Sequence, residues 1–490
     1  MENLPFEVIR EIVLPLSLSD ICNLRLTCKS VAFSANQDRF RSFFRVKHID
    51  LEDHALAELA WMTQPGRPGL SVEDLVLVGV VHNPLQIERD LCKASDRCIS
   101  PNRALAEENR EDRVWLQEAL HTCRQRQLDT EHFLEHGHGI SILSQAFRNI
   151  SASSSTKRLH SLTLNAVLCH HGSKEDTRDT PGQYVRDYWK PTWKSTAATF
   201  HALMTALAAS GLPIEQLDVF GNVPCCSVAS NELSRIDWNS AGLVSSLGQV
   251  KSLSISLSER IIEETEEDRR HLHDVAKRQL KSRATSRVTR SGGSLERQNV
   301  LKLEAEDEDN FTGFADMLRS CVQLEELDLH FDYADSRCGR LSTGERCLDR
   351  LLRRVIERDA LPPPTVKRCR LRGVYATCND LVKFLKRIAV HDLLLDAIHL
   401  TSGTWRDVFE YCTSTETGIQ HLILIDLFES LLARGRVDFS FMRTRMELLG
   451  SEVRHPVYYR LTDDRDQRSP GYWARRERLN HEYGMPYFLT

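Results

Sequence analysis

The chain has 490 residues, 41% apolar, 27% charged and 7% aromatic, with 64 basic against 69 acidic side chains and a formal charge of −5. That length allows a sizeable core, in roughly three domains of about 150 residues or in one elongated repeat array. The near balance of charge offers no cationic field for nucleic acid or an anionic membrane, so neither is expected as a partner. No stretch approaches the ~20 apolar residues of a membrane span, and the start Met-Glu-Asn-Leu-Pro has no secretory pattern. The expected address is intracellular, in cytoplasm, nucleus or both. Fourteen cysteines without a C-x-x-C pair read as reduced thiols and not as a disulfide framework.

Residues 4 to 44 carry the densest signal. Leu4 and Pro5 open a helical pattern in which Val8, Ile9 and Ile12 fall on one stripe, with Glu7, Arg10 and Glu11 on the other side. Pro15 ends it. Ser19-Asp20 is the expected cap of a second helix carrying Ile21 and Leu24, and Thr27 that of a third carrying Cys28 and Val31. Three short helices in about 40 residues cannot bury enough surface to stand alone, so part of their apolar surface must meet the rest of the chain or a partner.

The run Leu4-Pro5-Phe6-Glu7-Val8-Ile9-Arg10-Glu11-Ile12, then Leu16, then Leu18-Ser19-Asp20-Ile21 and Leu24-Arg25-Leu26-Thr27-Cys28-Lys29, resembles an F-box. The resemblance implies docking onto the Skp adaptor, and through it the cullin, of a cullin-RING ubiquitin ligase. The positions it implies for that contact are Leu4, Pro5, Ile9, Ile12, Leu16, Ile21 and Leu24. Many F-boxes carry Trp shortly after the Cys-Lys pair. Val31 stands here instead, which reshapes that part of the contact.

Beyond the F-box the pattern becomes apolar-x-x-apolar-x-apolar, starting at Val46, Val72, Leu159, Ile214, Val250, Leu324, Val366, Val390 and Ile419, with helical segments between. Alternating strand and helix argue for an α/β layer or solenoid. Start-to-start spacings of 26, 24 and 29 residues fall in the leucine-rich-repeat range and the others require insertions. Leu159-His-Ser-Leu-Thr-Leu164 and Leu324-Glu-Glu-Leu-Asp-Leu329 resemble the core of that repeat without its usual Asn or Cys. Leu400 to Phe409 and Arg475 to Gly484 resemble the C-terminal regions of F-box proteins of filamentous fungi. The expected architecture is α/β: a three-helix F-box at 1–45, an irregular leucine-rich-repeat-like solenoid at 46–430 with charged insertions at 90–130 and 259–310, and a C-terminal cap and tail at 431–490.

Nothing in the sequence anchors an enzyme. P-loop, G-x-S-x-G, H-E-x-x-H and G-x-G-x-x-G patterns are absent, and no cofactor or metal is expected. Cys169-His170-His171 with His136 and His138 lacks the spacing of a zinc site. Tyr184, Tyr188, Trp189 and Trp193 are spaced like one helix or turn face and read as buried over the preceding repeat, with a recognition patch as the alternative. The expected function is that of a non-catalytic substrate receptor, which holds the adaptor by its F-box and a target protein by its repeats; the alternative is an adaptor-bound scaffold acting outside ubiquitin transfer. Strand alternation points Asp328, His330, Arg370 and Arg372 outward, with Phe220 two places beyond the outward Asp218. The paired guanidinium groups favour an acidic or phosphorylated target. Leu394, Ile423 and Ile425 make one end of that face apolar, and the segment after residue 430 is expected to cover it.

Overall fold

Each of the nine apolar triplets forms a strand in the computed structural model of the chain. The structure describes residues 6–35, 38–82, 84, 87–88, 90–92, 103–153, 157–170, 177–179, 185–224, 226–259, 303–304, 307–332, 349–360, 366–429, 435–439 and 444–463. Residues 260–302 of the 259–310 insert, His171, Tyr184 and the tail at 475–484 lie outside them, and the insert's last acidic run enters a 3-10 helix at Glu308–Phe311. The second and third apolar residues of every triplet are buried, from Ile49 and Leu51 to Leu422 and Leu424. Each buried aliphatic side chain contributes about 1.5–3 kcal/mol, which explains why so short a pattern holds a strand in place. Two compact units divide the chain: Met1–Cys226 with Trp238–Ser254 and Ser320–Leu324, and Ser227–Asp237 with Ile255–Arg319 and Glu325–Thr490.

The first unit opens with α1 (Phe6–Val13), α2 (Leu18–Arg25), α3 (Lys29–Ala35) and α4 (Asp38–Ser42), so the expected three helices have a short fourth beside them. The cap of α2 is Ser17, two residues before the expected Ser19. Its hydroxyl accepts from the Asp20 amide at 3.2 Å while the Asp20 carboxylate accepts from the Ser17 amide at 3.3 Å, closing a capping box. At the next boundary Thr27 donates back to the Leu24 carbonyl at 2.7 Å and closes α2, and the Cys28 sulfur receives the Val31 amide.

There follow β1 (Val46–Asp50), α5 (Asp53–Met62), β2 (Asp74–His82), β3 (Leu159–His170), β4 (Thr177–Asp179) and β5 (Ile214–Val219). Strands β1, β2, β3 and β5 pair in parallel, and β4 adds to β3 antiparallel. The charged stretch expected as an insertion at 90–130 is helical from Arg103 to Glu135. Helices His138–Ser153, Val185–Ser210 and Ala241–Leu247 also belong to this unit, and Trp193 is buried.

Short β6 (Val228–Ala229) lies in the second unit, and β7 (Ser252–Ser258) gives its first three residues to the first unit and the rest to the second. In the second unit β8 (Glu326–Asp332), β9 (Arg368–Arg372), β11 (Asp392–Asp396) and β13 (His421–Ile425) are parallel and in phase. After β9, β11 and β13 respectively, β10 (Tyr375–Thr377), β12 (His399–Ser402) and β14 (Phe428–Glu429) begin a second sheet, continued antiparallel by β15 (Gly435–Asp438) and β17 (Arg460–Asp463). The chain leaves the first sheet for the second through a left-handed residue at the same place each time: Gly373 (φ 67°), Ala397 (φ 52°) and Asp426 (φ 48°). The aliphatic residue after it, Val374, Ile398 or Leu427, is buried where a leucine-rich repeat has Asn or Cys.

Register then stacks Tyr375, His399 and Phe428 as an aromatic ladder, both ring spacings being 4.3 Å. Enclosed between two rings, His399 is held neutral by burial, its pKa down to about 3.

Two outcomes follow. At Gly373 a Cβ would come 2.5 Å from the Phe331 carbonyl oxygen, so Gly373→Ala costs about 1–3 kcal/mol in urea unfolding, whereas Ala397→Gly is neutral or stabilising because only strain is relieved there. His399 has a folded pKa far below the ordinary ~6.5, so the unfolded chain takes up its proton first and the stabilising contribution, complete above pH ~6.5, is lost as pH falls toward 3. His399→Phe keeps the stack and removes that term, so its stability advantage over the natural chain grows between pH 6.5 and 4.5, measured by urea midpoints.

Candidate functional site

The N-terminal helices sort their apolar residues into two sets. Ile9, Val13, Ile21 and Phe40 form a buried cluster, with Leu16, Leu18, Leu24, Phe43 and Phe44 packed against it. The Arg25 guanidinium lies 3.9 Å from the Phe40 ring centre and closes one side. Of the residues implied as adaptor contacts, Leu4 and Pro5 lie outside the described residues, Ile9 and Ile21 are core, and Ile12, Leu16 and Leu24 are half-buried. Val31 is also buried, so it supplies no surface where other F-boxes carry Trp. The exposed set is Val8, Leu14, Leu26 and Phe33, the last two at 84% exposure each. Val8 belongs to the stripe read from the sequence and yet stays outside, while Leu14, Leu26 and Phe33 lie off that stripe.

In the second unit register sets Asp328 beside Arg370, and His330 beside Arg372. Arg372 donates to Asp328 at 3.0 Å and is largely buried, so its guanidinium is already committed. Arg370 is exposed, 3.9 Å from the same carboxylate. Arg368 pairs with Glu326, and Lys367 with Glu325 at 2.6 Å. The paired arginine fork expected from the sequence is thus a ladder of cross-strand ion pairs in which Arg370 is held most loosely. His330 is buried, with the Ser256 hydroxyl 3.5 Å from its Nδ1, which corrects the expectation that it faces outward.

Phe220, in the first unit, is fully buried because its left-handed backbone (φ 57°) ends the alternation that would turn it outward. Its outward neighbour Asp218 is engaged locally, accepting from the Gly221 amide and the Asn222 side chain at 2.7 Å each.

Beyond Arg370 the same row continues through Leu394 and Ile423, both half-buried, to Glu447. Glu447 belongs to β16 (Arg445–Leu449), which pairs antiparallel with β13. The segment after residue 430 therefore lengthens this face by a strand where it was expected to cover it. Ile425, two residues on, is buried. Hydrogen bonds from His421 at 3.1 Å and from Arg445 at 3.0 Å hold the Glu447 carboxyl below its ordinary value. Among the described residues no group of three or more His, Cys, Asp or Glu could hold a metal ion, and no helix is long and apolar enough to cross a membrane.

A small helical cluster that buries one apolar set and displays a second defines a protein-docking module. It is an F-box: the family model for the F-box domain matches residues 1–43. Such a domain indicates binding to a Skp-type adaptor and thereby to the cullin, and F-box proteins are generally non-catalytic. Among curated proteins none matches the chain.

Proposed function

We propose that this chain is a substrate receptor of an SCF-type ubiquitin ligase, acting inside the cell, with a leucine-rich-repeat-like region that captures the target protein. The observation that carries the adaptor half is the display of Leu26 and Phe33 within the matched F-box residues. Large apolar side chains so exposed gain most from a partner that desolvates them. The repeat-like reading is supported by the phase of β8, β9, β11 and β13, by the starts of three successive units at residues 366, 390 and 419, and by the left-handed residue common to those three. The chain does no chemistry in this reading. It raises the effective concentration of a bound target's lysines near the ubiquitin-charged enzyme.

Target contact falls to the exposed row of the second unit, where a cation at Arg370, aliphatic Leu394 and Ile423, and an anion at Glu447 lie side by side on neighbouring strands. A partner of opposite polarity around an apolar centre fits it.

Two variant sets test the halves. Leu26→Glu with Phe33→Glu abolishes co-purification of adaptor and cullin while leaving the melting temperature within a few degrees, whereas Ile9→Glu loses binding and F-box folding together, because it buries a charge in a core of four residues. Retained adaptor with the double variant removes this docking face, and adaptor recovered without cullin favours a scaffold. On the other half, Arg370→Glu reduces target capture in proximity labelling under proteasome inhibition, with adaptor binding unchanged. Arg372→Glu is a poor probe because it leaves Asp328 facing a second carboxylate.

A further inference from the structure

The first unit contains a cleft of about 480 Å³ at the carboxyl ends of its parallel strands, the end at which open α/β sheets bind ligands. Three side chains that line it are register neighbours: His82 on β2 pairs with Cys169 on β3, and Cys169 pairs with Arg178 on β4. Neighbouring strands lie about 4.8 Å apart, so thiol, imidazole and guanidinium share one floor. The wall opposite is the helix Arg103–Glu135, which contributes Arg126, Asp129 and Phe133.

Each cation-forming neighbour of the thiol is backed by a carboxylate. Glu52 Oε1 lies 3.8 Å from His82 Nε2, and Asp50 accepts both ends of the Arg178 guanidinium, at 3.1 and 2.7 Å. Those hydrogen bonds raise the Arg178 pKa above its ordinary value, with smaller contributions from the charges of Asp50, Cys169 and Glu52. A base on one side of a sulfur and a fixed cation on the other favour the thiolate.

We propose that Cys169 is a reactive thiol that captures small α,β-unsaturated carbonyl compounds in this cleft. The volume argues for an organic molecule over a peroxide, and Phe133 offers its carbon frame an apolar wall. His82 takes the thiol proton. The sulfur bonds to the β-carbon, the alkene electron pair moves onto the carbonyl oxygen beside Arg178, and the proton held by His82 passes to the α-carbon. The adduct contains every atom of both reactants, and no oxidant is needed.

The test uses the full reduced chain and limiting N-ethylmaleimide, itself an α,β-unsaturated carbonyl, with labelling at each cysteine followed by peptide mass spectrometry. Cys169 labels about tenfold faster than the exposed Cys22 and Cys92, and keeps its lead at pH 6. His82→Gln and Arg178→Met each slow Cys169 about tenfold with Cys22 unchanged, while continued protection of the buried Cys123 and Cys412 reports that the fold survives. Should either variant misfold, Thr130→Trp, which narrows the cleft from the helix side, blocks Cys169 labelling with the three floor residues intact. Labelling of Cys169 no faster than Cys22, or indifference to all three variants, overturns the proposal.

Discussion

Parallel pairing is the constraint on which the rest of this structure depends. A parallel strand cannot be reached by a tight hairpin, so the chain must cross back between each pair of strands, and the crossing segment must cover the apolar side of the sheet. The buried second and third residues of each triplet are one half of that bargain, and the intervening helices the other. Side chains of the opposite parity face away from that packing, and they include Asp328 and Arg370 in the second unit and Asp218 in the first.

In-phase register turns sequence position into spatial adjacency. The Asp328–Arg370 pair, the Tyr375–His399–Phe428 ladder and the His82–Cys169 pair all join residues tens of positions apart that share one place in their strands. The left-handed turn at Gly373, Ala397 and Asp426 extends the same logic to a second sheet. Only one of these is a glycine, because only at Gly373 does a neighbouring carbonyl crowd the space a Cβ would need, as judged by the 2.5 Å approach of Phe331.

The strands were legible in the sequence because three apolar residues at fixed spacing, followed by a helical stretch, mean one thing physically. The second sheet was not, since strands of two to four residues leave no periodicity and aliphatic Val374, Ile398 and Leu427 give no polar mark before them. Capping was read two residues late at α2 because Ser19 and Ser17 offer the same hydroxyl, and only Ser17 has an acidic residue at the third helical position to close the box. Phe220 and His330 show the limit of alternation: a positive φ reverses the first, and a neighbouring strand encloses the second. The F-box was recognisable from its order of residues, yet its exposed side was not, because amphipathic spacing marks the buried stripe and is silent about which other apolar residues stay outside.

The antiparallel strand β16 ends the main sheet of the second unit, and its composition bears on the fate of the free chain. A parallel stack of aliphatic strands is a template that can keep growing, with Leu422 and Leu424 flanked by unpaired backbone groups if nothing follows them. Arg445 and Glu447, alternating with Met446 and Leu448, complete the hydrogen bonding of that edge and set charge along it. A chain cut before residue 444 would keep every parallel strand and lose this terminator, and strand-by-strand self-association would replace a defined end.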